Sequence, residues 1–283
     1  MTSSDHDALR LAARGEAALC TIVGIDGSFS RRWGAQLAVG RDGSRAGDMA
    51  DNCLDAELAN QAGAALEDGT VRLLRYGRGS PFIDFRLPCG SGLDILVDPA
   101  PDRARLERCL EEVAARREAT LPLPVPADAP NQLLRERIYM PPLRLLILGS
   151  GPECTALERL AAAQKVDVVR REAGRGLALH QRPADMEADR WTAVVLLFHD
   201  HEWEHAILDW ALDSPAFYIG AQGGAPAREA RVERLRASGR DEEALARIRS
   251  PIGLIPRARD PEVLALSVLA EVVADYEALH PHR

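Results

Sequence analysis

The sequence predicts an α/β protein in two parts, an α+β domain followed by a parallel-sheet domain, and three observations carry that prediction. The first is Leu143–Leu157 (LRLLILGSGPECTAL), which runs from the branched aliphatics Leu145, Leu146, Ile147 and Leu148 through Gly149-Ser150-Gly151 into a helix-forming run. Strand, glycine turn and helix in that order open a Rossmann unit. The second is the alternation of aliphatic strands with helices from 144 to 238, which reads as a parallel sheet covered on both faces. The third is the stretch 120–142 (TLPLPVPADAPNQLLRERIYMPP), whose six prolines deny helix and central strand alike and read as an interdomain linker or a strap across a surface. The expected organisation is therefore an N-terminal domain over 1–119, a proline-rich linker over 120–142 and a Rossmann-like domain over 143–283.

At 283 residues the chain is long enough to bury two cores. With 46% hydrophobic and 28% charged residues the composition is that of an ordinary soluble globular protein. A net charge of −8 argues against a general nucleic-acid or anionic-membrane surface while leaving room for a local anion site. No apolar run approaches the roughly 20 residues of a membrane span, and the N-terminus MTSSDHDALR lacks a basic-then-apolar signal, so a cytoplasmic protein is expected. The five cysteines Cys20, Cys53, Cys89, Cys109 and Cys154 include no C-x-x-C pair, which makes a disulfide scaffold or structural zinc site a poor expectation.

In the N-terminal part, residues 5–14 read as a short helix capped by Asp5 or Asp7. Ala17–Ile25 and Gln36–Val39 read as strands around Gly27-Ser28-Phe29-Ser30-Arg31-Arg32-Trp33-Gly34. Paired arginines on such a glycine-bounded loop suit a phosphate or carboxylate, and a solvated hairpin end is the plainer alternative. Asp51 to about Leu66 should be a helix with Leu54, Leu58, Ala62, Ala65 and Leu66 as its apolar stripe. Cys53 lies off that stripe in the first turn, where the helix N-terminus favours thiolate. Val71–Tyr76 and Leu93–Val97 read as strands flanking Pro88-Cys89-Gly90-Ser91-Gly92, a cysteine between small residues that a ligand can approach closely. The helix from Asp102 to about Arg117 turns Leu106, Cys109, Leu110 and Val113 to one side, so Cys109 is expected in the core, as is Cys20 among Leu19, Ile22 and Val23.

Ligands of a doubly wound sheet sit beyond the carboxyl ends of its strands, which marks Gly149–Gly151, Phe198-His199-Asp200-His201 and Gly220-Ala221-Gln222-Gly223-Gly224. The second strand of a dinucleotide fold normally ends in a ribose-binding acid, but Val168-Val169 is followed by Arg170-Arg171, which could instead accept the 2′-phosphate of NADP or another anion. His201-Glu202-Trp203-Glu204-His205 fits H-E-x-x-H. It follows a parallel strand directly, and Leu208 and Ala211 stand where the metzincin continuation needs its conserved residues, so Asp200 as a helix cap is the preferred reading. The last helix should open at Asp260-Pro261-Glu262, and Pro251-Ile252-Gly253-Leu254 before it should be an ordered turn.

Taken together, these segments resemble the XdhC/CoxI family of molybdenum-cofactor chaperones. The N-terminal likeness lies in GIDGSFSRRWGAQLAV, DMADNCLDAEL and PCGSGLDILVDP, and the C-terminal likeness in LLILGSGPECTALERLAA, FHDHEWE, AFYIGAQGG and ARIRSPIGL. The resemblance implies a cytoplasmic two-domain protein, self-associating as a homodimer. It would bind molybdenum cofactor, hold it while a cysteine desulfurase helps replace an oxo ligand by sulfide, and deliver it to an apo-molybdenum hydroxylase. Carried over by motif position, Cys53 and Cys89 take the molybdenum or sulfur end, while Ser28, Arg31, Gly90, Gly149, Gly151, Arg170, His199 and Gly220 complete the expected cofactor site. The chain departs from the family pattern at Asp51-Asn52, Ser30, Trp33, Leu87-Pro88 and Arg170. An accessory protein is thus the leading reading. An NADP-dependent oxidoreductase built on Arg170, Arg171, His199 and His201 is the alternative, and a zinc hydrolase comes third.

Overall fold

The computed structural model describes residues 4–49, 52–81 and 90–282, with the side chains of residues 4, 5, 52 and 53 left outside that description. The chain separates between Pro141 and Pro142 into two compact units, and residues 281 and 282 belong with the first.

The first unit is a five-stranded antiparallel sheet in the order β3-β2-β1-β5-β4, formed by β1 (Ala17–Asp26), β2 (Gln36–Gly40), β3 (Arg45–Gly47), β4 (Arg72–Gly77) and β5 (Gly92–Asp98). Central β1 is buried from Ala17 to Gly24, which explains its nearly unbroken apolar run. Ala18, Cys20 and Ile22 join one core with α2 (Asn52–Asp68), where Leu54, Leu58, Ala62 and Ala65 are buried as the stripe predicts. Burial of each such leucine is worth about 1.5–3 kcal/mol. Leu19 points the other way, into a core shared with α1 (Ser4–Ala13) and α3 (Arg103–Ala114), and Cys109 is buried there as expected.

The proline-rich stretch is not a bare linker. Its ends pair as β6 (Ala119–Pro122) and β7 (Glu136–Tyr139), with Ala119 opposite Tyr139 and Pro122 opposite Glu136. Leu121 and Tyr139 enter the α1/α3 core, while Val125 and Leu133 bury against Val23 and Leu96. Proline is tolerated at the end of a two-stranded pair, where no further ladder bond is asked of it, and the aliphatics between the prolines supply the burial that the proline count conceals.

The second unit is a wholly parallel sheet of β8 (Arg144–Gly149), β9 (Asp167–Ala173), β10 (Gly176–Leu177), β11 (Thr192–Leu197), β12 (Tyr218–Ala221) and β13 (Ile248–Arg249), in the order β10-β9-β8-β11-β12-β13. Order reverses between β8 and β11, which makes the space at their carboxyl ends the crevice of the fold. Helices α4 (Pro152–Ala163) and α8 (Pro261–Ala278) pack together. Ile207, Leu208, Ala211 and Leu212 of α5 (Glu204–Asp213) cover Leu146, Leu148, Val194 and Leu196. Two short helices and a longer one complete the unit: a 3₁₀ turn at His201–Trp203, α6 (Ala225–Ala237) and α7 (Glu242–Ala246). Asp260 caps α8 by accepting from the Glu262 and Val263 backbone amides, with Pro261 in the first turn. Among the described residues no helix is long and apolar enough to cross a membrane.

Candidate functional site

In the first unit, two of the expected residues, Ser28 and Gly90, come together at one end of the sheet. Ser91 Oγ donates to the Ser28 carbonyl, joining the 27–34 loop to the Gly90-Ser91-Gly92 segment, and Asp26 and Gly77 both stand opposite Gly92 in the sheet register. Gly90 has φ +68 and open space where a side chain would be. Arg31 Nη2 reaches Asp48 Oδ2 at 2.6 Å, anchoring the loop to the segment that leads toward α2. The arginine is therefore held by a carboxylate, and an anionic ligand there would have to compete with Asp48. Beside this end, Arg75 binds Asp94 at 2.7 Å and Asp26 at 3.2 Å, a cluster that no sequence spacing announces. Cys53 begins α2 as expected, but its side chain lies outside the described residues, and so does the whole of Cys89.

The remaining cysteines are poor candidates for chemistry. Cys20, Cys109 and Cys154 are buried free thiols. Burial pushes Cys154 up to about 11 and Cys20, with Asp55 adding to the effect, up to about 12. A thiol so shifted stays protonated at neutral pH and is a weak nucleophile.

In the second unit, the glycine turn forms as expected but serves the protein first. At Gly149, φ is +151 and a Cβ would lie 2.1 Å from the Leu197 carbonyl, so the residue is glycine because β8 passes hard against β11. Gly151 caps α4 without a side-chain bond. The space at this helix N-terminus is not left for phosphate: Glu153, in the first turn, is 8% exposed, and its Oε2 would lie 3.0 Å from a Cβ at Gly151. His199 Nε2 stands 3.5 Å from Glu153 Oε1, which places His199 in the crevice as expected.

Two expected cofactor residues are engaged elsewhere. Arg170 binds Glu158 at 2.8 Å, Glu172 at 2.5 Å and Thr155 Oγ1 at 3.2 Å, and it works as an ion-pair hub between β9 and α4. With Arg170 committed to Glu158 and Glu172, the NADP expectation loses one of the two arginines on which it rested. Gly220 is a packing glycine: a Cβ there would lie 2.5 Å from Ile252 Cδ1 and 2.7 Å from the Tyr218 hydroxyl. Tyr218 donates to Glu271 at 2.5 Å, and the Gly253 amide donates to the same carboxylate at 2.7 Å. The ordered turn at Pro251–Leu254 is thereby fastened to α8.

The H-E-x-x-H segment is not a single helical face, because its first half is the 3₁₀ turn capped by Asp200, whose Oδ1 accepts from the Glu202 amide at 3.0 Å. His201 Nδ1 pairs with Glu204 at 3.0 Å. Glu204 also meets Arg231 at 2.8 Å, with side-chain exposures of 2% and 4%. Arg231 further donates to Ser250 Oγ and the Gln222 carbonyl, both at 2.7 Å. The network borders a pocket of about 300 Å³ lined by His201, Glu204, His205, Leu208, Arg231 and Arg234. Burial and the Arg234 charge hold His205 below the usual imidazole range. Among the described residues no three histidine, cysteine or carboxylate side chains gather as metal ligands.

Comparison with known proteins decides the family. Residues 145–272 match the XdhC Rossmann domain and residues 10–77 match the XdhC and CoxI family. Over 269 residues the chain is 34% identical to the molybdenum cofactor insertion chaperone PaoD of Escherichia coli (strain K12), covering 91% of this chain and 83% of that protein. The chain belongs to the XdhC/CoxI family. This XdhC/CoxI chain is also 25% identical to a probable xanthine dehydrogenase subunit of Bacillus subtilis (strain 168), with 91% of this chain and 92% of that protein covered. A crystal structure described as a xanthine dehydrogenase from Bacillus halodurans superimposes with a TM-score of 0.74 at 19% identity, covering 99% of this chain and 97% of that one, which establishes the shared fold. The Rossmann assignment of the XdhC/CoxI chain is thus shown by sequence and structure alike.

Proposed function

We propose that the chain is a molybdenum-cofactor chaperone. In this reading it binds the cofactor as cargo, holds it while a cysteine desulfurase supplies the sulfur that replaces a terminal oxo ligand, and delivers it to an apo-molybdenum hydroxylase of the xanthine dehydrogenase type. It is an accessory protein, self-associating as a homodimer, with no complete turnover of its own. The observation that carries the reading is the 34% identity, over 91% of the chain, to a molybdenum cofactor insertion chaperone.

Chemistry supports the same reading. Beyond the three buried thiols the chain has Cys53 and Cys89, one in the first turn of a helix and the other next to Gly90. Soft thiolates suit molybdenum or sulfur in transit, and Ser91 joins the Ser28 loop to the segment that follows Cys89. Arg31, held by Asp48, supplies a cation at the same loop for the anionic parts of the cargo.

The test is anaerobic titration of the full-length chain with isolated molybdenum cofactor. Wild type should take up the cofactor stoichiometrically, and Cys53→Ala or Cys89→Ala should weaken binding by at least about tenfold, or 1.4 kcal/mol. Wild type that binds no cofactor would end the reading.

A further inference from the structure

Near its N-terminus, helix α8 is apolar on both sides. Leu264, Ala265, Val268 and Leu269 are buried, yet Val263, Leu266 and Ala270, spaced by three and four residues on the other side, are exposed. A helix that is apolar all round is ordinarily covered all round. The turn before it adds to the same face. The Ile255 amide donates to Ser267 Oγ at 2.6 Å and the Leu254 amide to the Ser267 carbonyl at 3.3 Å, while the Gly253 amide is held by Glu271. Ser267 is buried and stands one turn after Val263, so Leu254, Ile255 and Pro256 are pinned beside the exposed stripe and are exposed themselves. Of the five large hydrophobic side chains exposed among the described residues, four gather here: Leu254, Ile255, Val263 and Leu266. Single exposed leucines need no explanation, but a cluster on fixed backbone marks a binding surface. Fixing it in advance lowers the ordering cost of association.

Charge at the rim narrows the partner. The chain carries a net charge of −8, yet the exposed Arg257 and Arg259 follow directly on Pro256 and make no ion pair among the described residues. Glu262 is already paired with Arg159, and Asp260 is occupied in capping α8. A two-fold contact with a second copy would bring two such cationic rims together. A partner whose apolar socket is ringed by carboxylates satisfies both the apolar cluster and its rim.

We infer that this face docks the apo-molybdenum hydroxylase, an inference that rests on the chaperone reading. Leu254, Ile255 and Leu266 enter an apolar socket on the hydroxylase surrounded by Asp and Glu side chains, and Arg257 and Arg259 steer the encounter.

The test follows activation of the apo-hydroxylase by full-length chain preloaded with molybdenum cofactor, as initial rate against the concentration of loaded chain. One variant combines Leu254→Asp with Leu266→Asp, and another combines Arg257→Glu with Arg259→Glu. Both should load cofactor and unfold thermally as wild type does, since all four side chains are exposed. Each should raise the concentration of loaded chain at half-maximal activation by at least about tenfold, with the rate at saturation unchanged. Added salt should raise that concentration for wild type and lower it for the arginine variant, in which repulsion is being screened. Should the leucine variant unfold early, the arginine variant decides alone. Half-saturation as in wild type, or loss of cofactor loading, in either folded variant would overturn the inference. So would a fall in sedimentation mass of the leucine variant with activation unchanged, which gives the face to a second copy. Wild type that neither loads nor activates defeats the chaperone reading itself, whereas equal activation by wild type and variants removes only this face.

Discussion

Arg231 and Glu204 form the most deeply buried ion pair described in the second unit, with side chains 4% and 2% exposed and contacts at 2.8 Å. Such a pair is tolerated because its donors are used: Arg231 serves Glu204, Ser250 and Gln222, and Glu204 also takes His201. Arg231→Met strands a buried carboxylate and should lower unfolding free energy in urea by about 3–5 kcal/mol, while adding Glu204→Met should recover most of the loss. A single variant as stable as wild type would show that the pair does not hold this corner. None of this is legible in RVERLRA, which reads as a polar helix, because the burial of Arg231 is set by what α5 and the 222–224 loop place over it. Glu153 is equally hidden in the sequence: a first-turn acid looks like an ordinary complement to the helix dipole until its oxygen is found buried. Gly149, by contrast, is legible as a required glycine, though the requirement comes from the Leu197 carbonyl rather than from a ligand.

Among the elements, the β6–β7 pair braces the first unit. Arg137, 2% exposed, donates through Nε to the Gly34 carbonyl at 2.6 Å and lies over the Tyr139 ring at 4.9 Å, while Tyr139 donates to Gln36 at 2.6 Å. The hairpin thus fixes the end of the loop that carries Ser28 and Arg31. Arg137→Ala takes this donor from the Gly34 carbonyl and should destabilise by about 1–3 kcal/mol, with cofactor affinity falling alongside; calorimetric unfolding and cofactor titration read the two effects. Affinity unchanged in a destabilised variant would show that the loop does not need the brace. In the sequence this pair reads as a linker because six prolines outweigh the buried aliphatics between them. Helix α2 is legible because Leu54, Leu58, Ala62 and Ala65 repeat at helical spacing on one buried face. The parallel strands are legible for a similar reason: runs such as Thr192–Leu197 are buried at every position, so they are almost wholly apolar.

At the scale of the molecule, each unit carries its own core and its own buried weak acids. Cys20 lies in the first unit, raised to about 12, and Cys154 in the second, raised to about 11 from 9.0. Burial raises Tyr76 in the first unit, and raises Tyr218, with Glu271 adding to the effect, in the second. A folded-state pKa above the unfolded value gives stability that is complete below the unfolded pKa and is lost as pH rises through the folded one. Both units should therefore hold constant stability on this account up to about pH 9 and weaken progressively as pH climbs toward 11. Urea midpoints measured across that range check it, and a midpoint that rises with pH there would contradict it. The measurement that tests the central claim most directly is transfer: chain loaded anaerobically with molybdenum cofactor, then mixed with an apo-molybdenum hydroxylase. Hydroxylase activity restored by loaded wild type and not by loaded Cys53→Ala or Cys89→Ala, at equal cofactor input, is the result predicted. Activity restored equally by free cofactor, with no gain from the chain, would contradict a chaperone role.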